Sequence, residues 1–407
     1  MIAAFERFTG MEWRGQGPAV VVAGGHAATH WITGALYVLV PFITKDLGLS
    51  YSQAGGLISV FYTASFAANA GSGAVVDITG RRVLIMALSL LIGAVALMGA
   101  GFAQSIWLLV GMVIIIGLTN NIWHPAAISY LSRLYPQNKG YVLSVHTLGA
   151  SFGDMLAPVS AGALLVWMGW QGTATVSALP GFLVAAVIAL SLRRSSVGAA
   201  ESSETSANAM SFRAYLDGLA DLIKNRVVLS LCLMSAFRSM AQNGLFLFLP
   251  LFMVDVLGFG SVLLGIALMS MQIGGIFAGP LAGAVSDRMG RRPIMVAGMA
   301  GTTLAILGLT MVENPTAFIA AMAALGFALF AVRPVIHSWV MDLTPAGMGG
   351  SAVSVLFGTQ SALSALVPVV GGYIADLWGL KIVFYLLAGT VLIATLMAAL
   401  IADKPRG

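Results

Sequence analysis

Residues Gly73–Arg82 read "GAVVDITGRR", and Gly283–Arg292 read "GAVSDRMGRR". Seven of the ten positions agree across an offset of 210 in a chain of 407 residues. A short charged loop that returns half a chain later points to a duplicated architecture, and its surroundings say of which kind. The chain is 59% hydrophobic and only 9% charged, with a mean hydropathy of +0.94. A soluble domain carries about 25% charge, and a water-soluble chain of this size has no interior large enough for so much apolar side chain. The bilayer is the natural solvent. Spanning helices need roughly 20 apolar residues, whereas barrel strands are shorter and alternate. The long unbroken runs here predict helices.

Twelve such runs lie near 18–43, 52–75, 83–103, 106–132, 141–166, 172–192, 228–254, 262–285, 293–312, 315–341, 351–375 and 380–402. With the N-terminus placed inside, sixteen of the 20 Lys and Arg residues fall on inner loops, and only Lys45 and Lys381 fall outside. By the positive-inside rule both termini are expected to face the cytoplasm, and the plasma (inner) membrane is the expected location. Most of the net charge of +5 is therefore a topology signal, and no clustered basic patch for nucleic acid is present. The polar opening around Glu6, Arg7, Glu12 and Arg14 does not resemble a cleavable signal peptide. The single Cys232 excludes an intramolecular disulfide.

The longest polar interruption separates residues 1–192 from 227–407. Its first part, "RRSSVGAAESSETSANAM" from Arg193, is a flexible Ser/Ala-rich linker. Its second part places Phe212, Tyr215, Leu216, Leu219 and Leu222 at helical spacing, as an amphipathic helix on the inner surface or a partly ordered linker would. The two halves align beyond the opening loop. "WHPAAISYLSRLYP" from Trp123 matches "VRPVIHSWVMDLTP" from Val332, and Pro158 and Gly162 match Pro368 and Gly372. The expected fold is an all-α membrane protein of twelve transmembrane helices, arranged as two pseudo-symmetric six-helix bundles. Internal duplication of this kind marks transporters.

The loop resembles the signature G-x-x-x-D-x-x-G-R-R/K between spans 2 and 3 of the major facilitator superfamily. It occurs here as Gly73, Asp77, Gly80, Arg81 and Arg82, and again as Gly283, Asp287, Gly290, Arg291 and Arg292. The resemblance covers essentially the whole chain and implies alternating access by the two halves. The loops suit a conformational latch. Gly73 and Gly283 would let spans pack closely, Gly80 and Gly290 would permit the tight turn, and Asp77 and Asp287 would pair with nearby arginines or helix ends.

Ionisable groups inside a membrane are costly and mark function by default. All five histidines, together with Arg238, Arg333 and Asp154, fall within the spans. The resemblance implies that spans 1, 4, 7 and 10 line a central cavity. On those spans lie His26 and His30; Asn120, Asn121 and His124; Arg238, Gln242 and Asn243; and Arg333 and His337. Four of their pairs stand at i,i+4 on one helix face. The arginines favour an anionic or zwitterionic substrate, unless one is held by Asp154 or by backbone carbonyls. Asp154 is the leading proton carrier: burial favours the neutral acid, a neighbouring Arg the carboxylate. His124 and His146 follow, since imidazole titrates near pH about 6.5.

"GDMLAPVSAG" from Gly153 resembles the antiporter motif G-x-x-x-G-P-x-x-G-G, keeping Gly153, Pro158 and Gly162, with Ala157 and Ala161 in place of glycines. In the superfamily that motif accompanies export in exchange for protons. His26 and the His124-Pro125 pair are similar to the fosmidomycin-resistance branch, although His30 stands where that branch carries Asp. Together these features imply a proton-coupled exporter of a small organic anion or drug-like compound, acting as a monomer on a small-molecule substrate. A proton-coupled importer of an organic acid is the alternative. A metal transporter is a weaker one, because no Cys or carboxylate completes a shell around His26 and His30 and the arginines repel cations. A nontransporting sensor would usually bring a soluble domain. No enzyme motif of the G-x-S-x-G or H-E-x-x-H type and no Walker loop occurs, so neither enzymatic activity nor a cofactor is expected.

Overall fold

The computed structural model describes residues 12–192, 226–343 and 349–401. Among these every regular element is helical. A short turn, Trp13–Gln16, leads into α1 (Gly17–Asp46), α2 (Tyr51–Thr79), α3 (Arg82–Gly101), α4 (Ile106–Leu134), α5 (Lys139–Ser177) and α6 (Leu179–Ser191). The second half supplies α7 (Arg226–Leu251), α8 (Ser261–Met289), α9 (Arg291–Leu309), α10 (Pro315–Leu343), α11 (Gly349–Ser364), α12 (Leu366–Trp378) and α13 (Leu380–Leu400). The amphipathic segment expected around Phe212 and the linker before Arg226 lie outside the described residues.

Ten segments among the described residues are long and apolar enough to cross a membrane. One of them, Lys139–Ser191, is 53 residues long and breaks at Gly169 (φ 62°, ψ −174°), so it holds the fifth and sixth runs of the sequence. The helix Tyr51–Thr79, diluted by Ala, Gly and Ser, falls outside the ten, and with it all twelve runs are found as helix. Two further interruptions, at Ala178 and Ala365, precede Pro180 and Pro368 in the first turns of α6 and α12. Proline lacks the N–H that would continue the previous helix but fits a first turn. Large apolar side chains such as Trp167 (84% exposed) and Met311 (81% exposed) face outward. Lipid, not water, is the solvent that accepts them.

By contacts the chain divides into two compact units, Met1–Leu39 with Ala64–Ala209, and Val40–Thr63 with Met210–Gly407. In the first, Trp123, Tyr130 and Leu131 of α4 pack with Val83, Met86 and Leu90 of α3, Val142 of α5 and Ile188 of α6. A second seam joins α1 to α5. A Cβ on Gly149 would overlap the Ala23 carbonyl, and one on Gly153 the Ala27 carbonyl, while Ala157 abuts Gly34. The contacts climb both helices in the same direction, as spans 1 and 5 of one topology must.

In the second unit Gly274 and Gly326 bring the backbones of α8 and α10 into contact. Val40–Thr63 groups by contacts with residues of the second half. The cause is local. Asp376, at the end of α12, accepts the backbone N–H groups of Tyr51 (2.8 Å) and Ser52 (2.9 Å) and the Ser52 hydroxyl. It thereby satisfies donors that a helix start leaves open. Gly55 meets the Pro368 backbone and Gly372 that of Tyr51, and the Tyr51 hydroxyl donates to Asp255 at 3.2 Å.

Candidate functional site

In the first unit, α1, α4 and α5 bring together all four of its histidines and Asp154. His30 Nδ1 lies 2.9 Å from Asp154 Oδ1, and both side chains are partly exposed, at 23% and 29%. The partner of Asp154 is thus an imidazole, where the sequence suggested an arginine. The His26 ring stands edge-on to His30 (4.8 Å between centroids) and to His124 (5.0 Å), and stacks on His146 at 3.9 Å. His26 Nδ1 donates to the His146 carbonyl at 2.7 Å. Asn120 Nδ2 donates to Thr33 Oγ1 at 2.9 Å, three residues beyond His30. Asn121, next on α4, is half-buried.

In the second unit, α7, α10 and α11 line a cavity of about 80 Å³. Arg238, Gln242, Asn243, Arg333 and His337, the candidates from spans 7 and 10, all contribute. Arg238 is buried, and its Nη2 donates to the Leu329 carbonyl at 2.6 Å. Its Nε has no acceptor, and Gln242 Oε1 has no donor, among the described residues. An isolated buried guanidinium is costly unless further acceptors reach it. Arg333 is exposed, while Asn243 Nδ2 is held by Ser364 Oγ at 2.8 Å. Ser239, Phe357 and Gln360 also line the cavity and were not picked out from the sequence. Gln360 donates to Ser235 Oγ, and Phe357 packs 5.4 Å from the His337 ring. The available signal was Gln360 itself, a lone amide in an apolar run three residues after Phe357.

The loop repeats are built differently in the two units. Gly80 (φ 65°) and Gly290 (φ 102°) adopt the left-handed backbone that the turn needs and that disfavours other residues. Arg82 is buried and donates to Ser129 Oγ at 2.7 Å and to the Gly80 carbonyl at 3.1 Å, while Arg81 is exposed. Arg291 bonds Asp287, Ser286 Oγ (2.7 Å) and Asp342 (3.1 Å), and Arg292 reaches the Ala399 carbonyl. The Asp77 side chain lies outside the described residues. Among the described residues no atom lies within 4 Å of a Cβ built on Gly73 or Gly283, whereas Gly149 and Gly153 make tight contacts. In the antiporter-like stretch Gly153, Ala157, Pro158, Ala161 and Gly162 are all buried, so the alanines preserve the small-residue seam.

The model of the Major Facilitator Superfamily matches residues 22–281 and 262–407, and the chain belongs to that family of membrane transporters. It is similar to the multidrug resistance protein MdtG of Klebsiella pneumoniae (strain 342), 24% identical over 388 residues, covering 92% of each chain. The protein of the same name from Salmonella typhimurium is 23% identical over 375 residues, covering 89% of this chain and 90% of that one. Among solved structures, a bacterial homologue of the human lysosomal transporter Spinster matches with a TM-score of 0.82 at 15% identity, over 95% of this chain and 96% of that one. The nucleoside transporter NupG matches at 0.78 and 15%, over 95% and 99%. At such identities these structures speak for the fold alone. The chain is an integral membrane transporter of this superfamily and not an enzyme.

Proposed function

We propose that this transporter exports a small organic anion in exchange for protons, as a monomer in the inner membrane with both termini in the cytoplasm. The observation that carries the reading is the cavity of the second unit, where Arg238 and Arg333 stand with Gln242, Asn243 and His337. Guanidinium forks match carboxylates and phosphonates, and a buried Nε without an acceptor invites one. Export is supported by the small-residue seam of Gly153, Pro158 and Gly162 and by the similarity to the multidrug resistance proteins MdtG. Sixteen inner basic residues against two outer ones support the orientation.

Coupling rests on the Asp154–His30 pair in the first unit. A partly exposed carboxylate partnered by an imidazole can take up and release a proton. The two loop repeats, with Asp287, Arg291 and Asp342 in one and Arg82 and Ser129 in the other, serve as latches. Thermal unfolding of the purified protein against organic anions (phosphonates and carboxylates), cations and neutral drugs tests the substrate class. A ligand at 100 times its Kd stabilises by about 2.7 kcal/mol. An anion should do so, and Arg333→Ala should remove the effect. Stabilisation by cations alone would overturn the reading.

A further inference from the structure

We infer that the first unit holds a binding site for a late first-row divalent metal ion, of the Zn²⁺ class, made by His26, His124 and His146. One ring nitrogen from each of these three residues lies within 4.8 Å of the others. They come from α1, α4 and α5, so spacing along any one helix does not reveal the set. Nothing in the proposed anion export calls for it.

Two features prepare the ligands. His26 donates its Nδ1–H to the His146 carbonyl at 2.7 Å, which leaves the lone pair on Nε2. A backbone carbonyl that fixes the tautomer and orientation of a ligating imidazole is the usual support for a metal ligand. That Nε2 is buried with no hydrogen-bond partner among the described residues, and so is His146 Nδ1. Buried polar atoms are normally paired, and two bare imidazole nitrogens in one cluster ask for an electrophile. The backbones that carry them are locked, because Gly149 meets Ala23 three residues from His146.

The donor set selects the ion. Neutral imidazole suits Zn²⁺, Cu²⁺, Ni²⁺ and Co²⁺, whereas Ca²⁺ and Mg²⁺ demand oxygen ligands. Three neutral ligands leave the ion's charge uncompensated and a fourth position open. Asp154 is bonded to His30, whose ring stands 4.8 Å from that of His26, and it supplies negative charge beside the shell. Metal–nitrogen bonds of about 2.0–2.1 Å require the three nitrogens to draw closer. The His146 ring must also turn out of its 3.9 Å stack on His26, and its Nδ1 has no hydrogen bond to lose.

The test uses the full chain in detergent, freed of any affinity tag and stripped with chelator, then titrated with Co²⁺ and with Zn²⁺. One ion per chain is expected, with the visible ligand-field absorption of a low-symmetry Co²⁺ centre. His124→Ala and His146→Ala should each weaken binding by roughly tenfold to a hundredfold or more while remaining monodisperse. X-ray absorption of the Zn²⁺-loaded wild-type protein counts the ligands directly and decides the matter even if a variant fails to fold. Three imidazoles are expected. An oxygen-only shell, no stoichiometric uptake by the wild type, or uptake that survives both substitutions would overturn the site.

Discussion

The first unit gathers four imidazoles and one carboxylate, whereas the second gathers two guanidiniums, three amides and one imidazole. Both collections stand on equivalent helices of a duplicated chain. His124-Pro125 of α4 aligns with Arg333-Pro334 of α10, so the same backbone position offers a titratable ring in one half and a fixed charge in the other. Duplication set the frame and divergence set the chemistry. Imidazole changes charge near neutral pH and a carboxylate is able to take up a proton, while guanidinium keeps its charge. On the proposed reading the first unit handles protons and the second anchors the anion.

That division can be broken one residue at a time. The largest effect is expected for Asp154→Asn. Proton-gradient-driven transport into proteoliposomes should fall to background, while anion-induced thermal stabilisation persists. Full gradient-driven activity would remove Asp154 from coupling. Arg333→Ala should do the converse, weakening anion affinity by about tenfold to a hundredfold, the equivalent of losing about 1.5–3 kcal/mol of charge-assisted hydrogen bonding. Calorimetric titration with the stabilising anion reads this, and an unchanged Kd would place the anion elsewhere.

Smaller effects sharpen the contrast between packing and motif glycines. Gly153→Val drives a side chain into the Ala27 carbonyl and the His30 Cβ, which lies 3.0 Å from the site of the new Cβ. Overpacking of this kind costs about 1–3 kcal/mol, so the melting temperature should drop and the Asp154–His30 pair should be disturbed with it. Gly73→Ala meets open space on a helix. Its stability should be unchanged or raised by up to about 1 kcal/mol. Lost transport in a fully stable Gly73→Ala protein would show that this glycine matters in another conformation of the cycle.

The helices and their duplication were legible because apolar runs, basic loops and repeated Gly-Asp-Gly-Arg spacing are properties of the chain itself. The candidate site was legible in part: the five residues that spans 7 and 10 offered to a central cavity stand together around one cavity of the second unit. Its contacts were not. Helices that are apolar on every side carry no stripe to say which face meets which neighbour, so the His30–Asp154 pair and the stack of His146 on His26 could not be read from periodicity. The same limit missed Gln360. The interruptions at Ala178 and Ala365 were also unforeseen, since Pro180 and Pro368 are as compatible with a kinked helix as with a new one.

The most direct test of anion–proton exchange is proton movement itself. Proteoliposomes carrying a lumenal pH dye would receive the anion identified by thermal stabilisation, with no imposed gradient. Exchange predicts that anion entry drives protons out of the lumen, and that Arg333→Ala and Asp154→Asn both abolish the signal. Protons entering with the anion, or anion uptake with no proton movement at all, would contradict it.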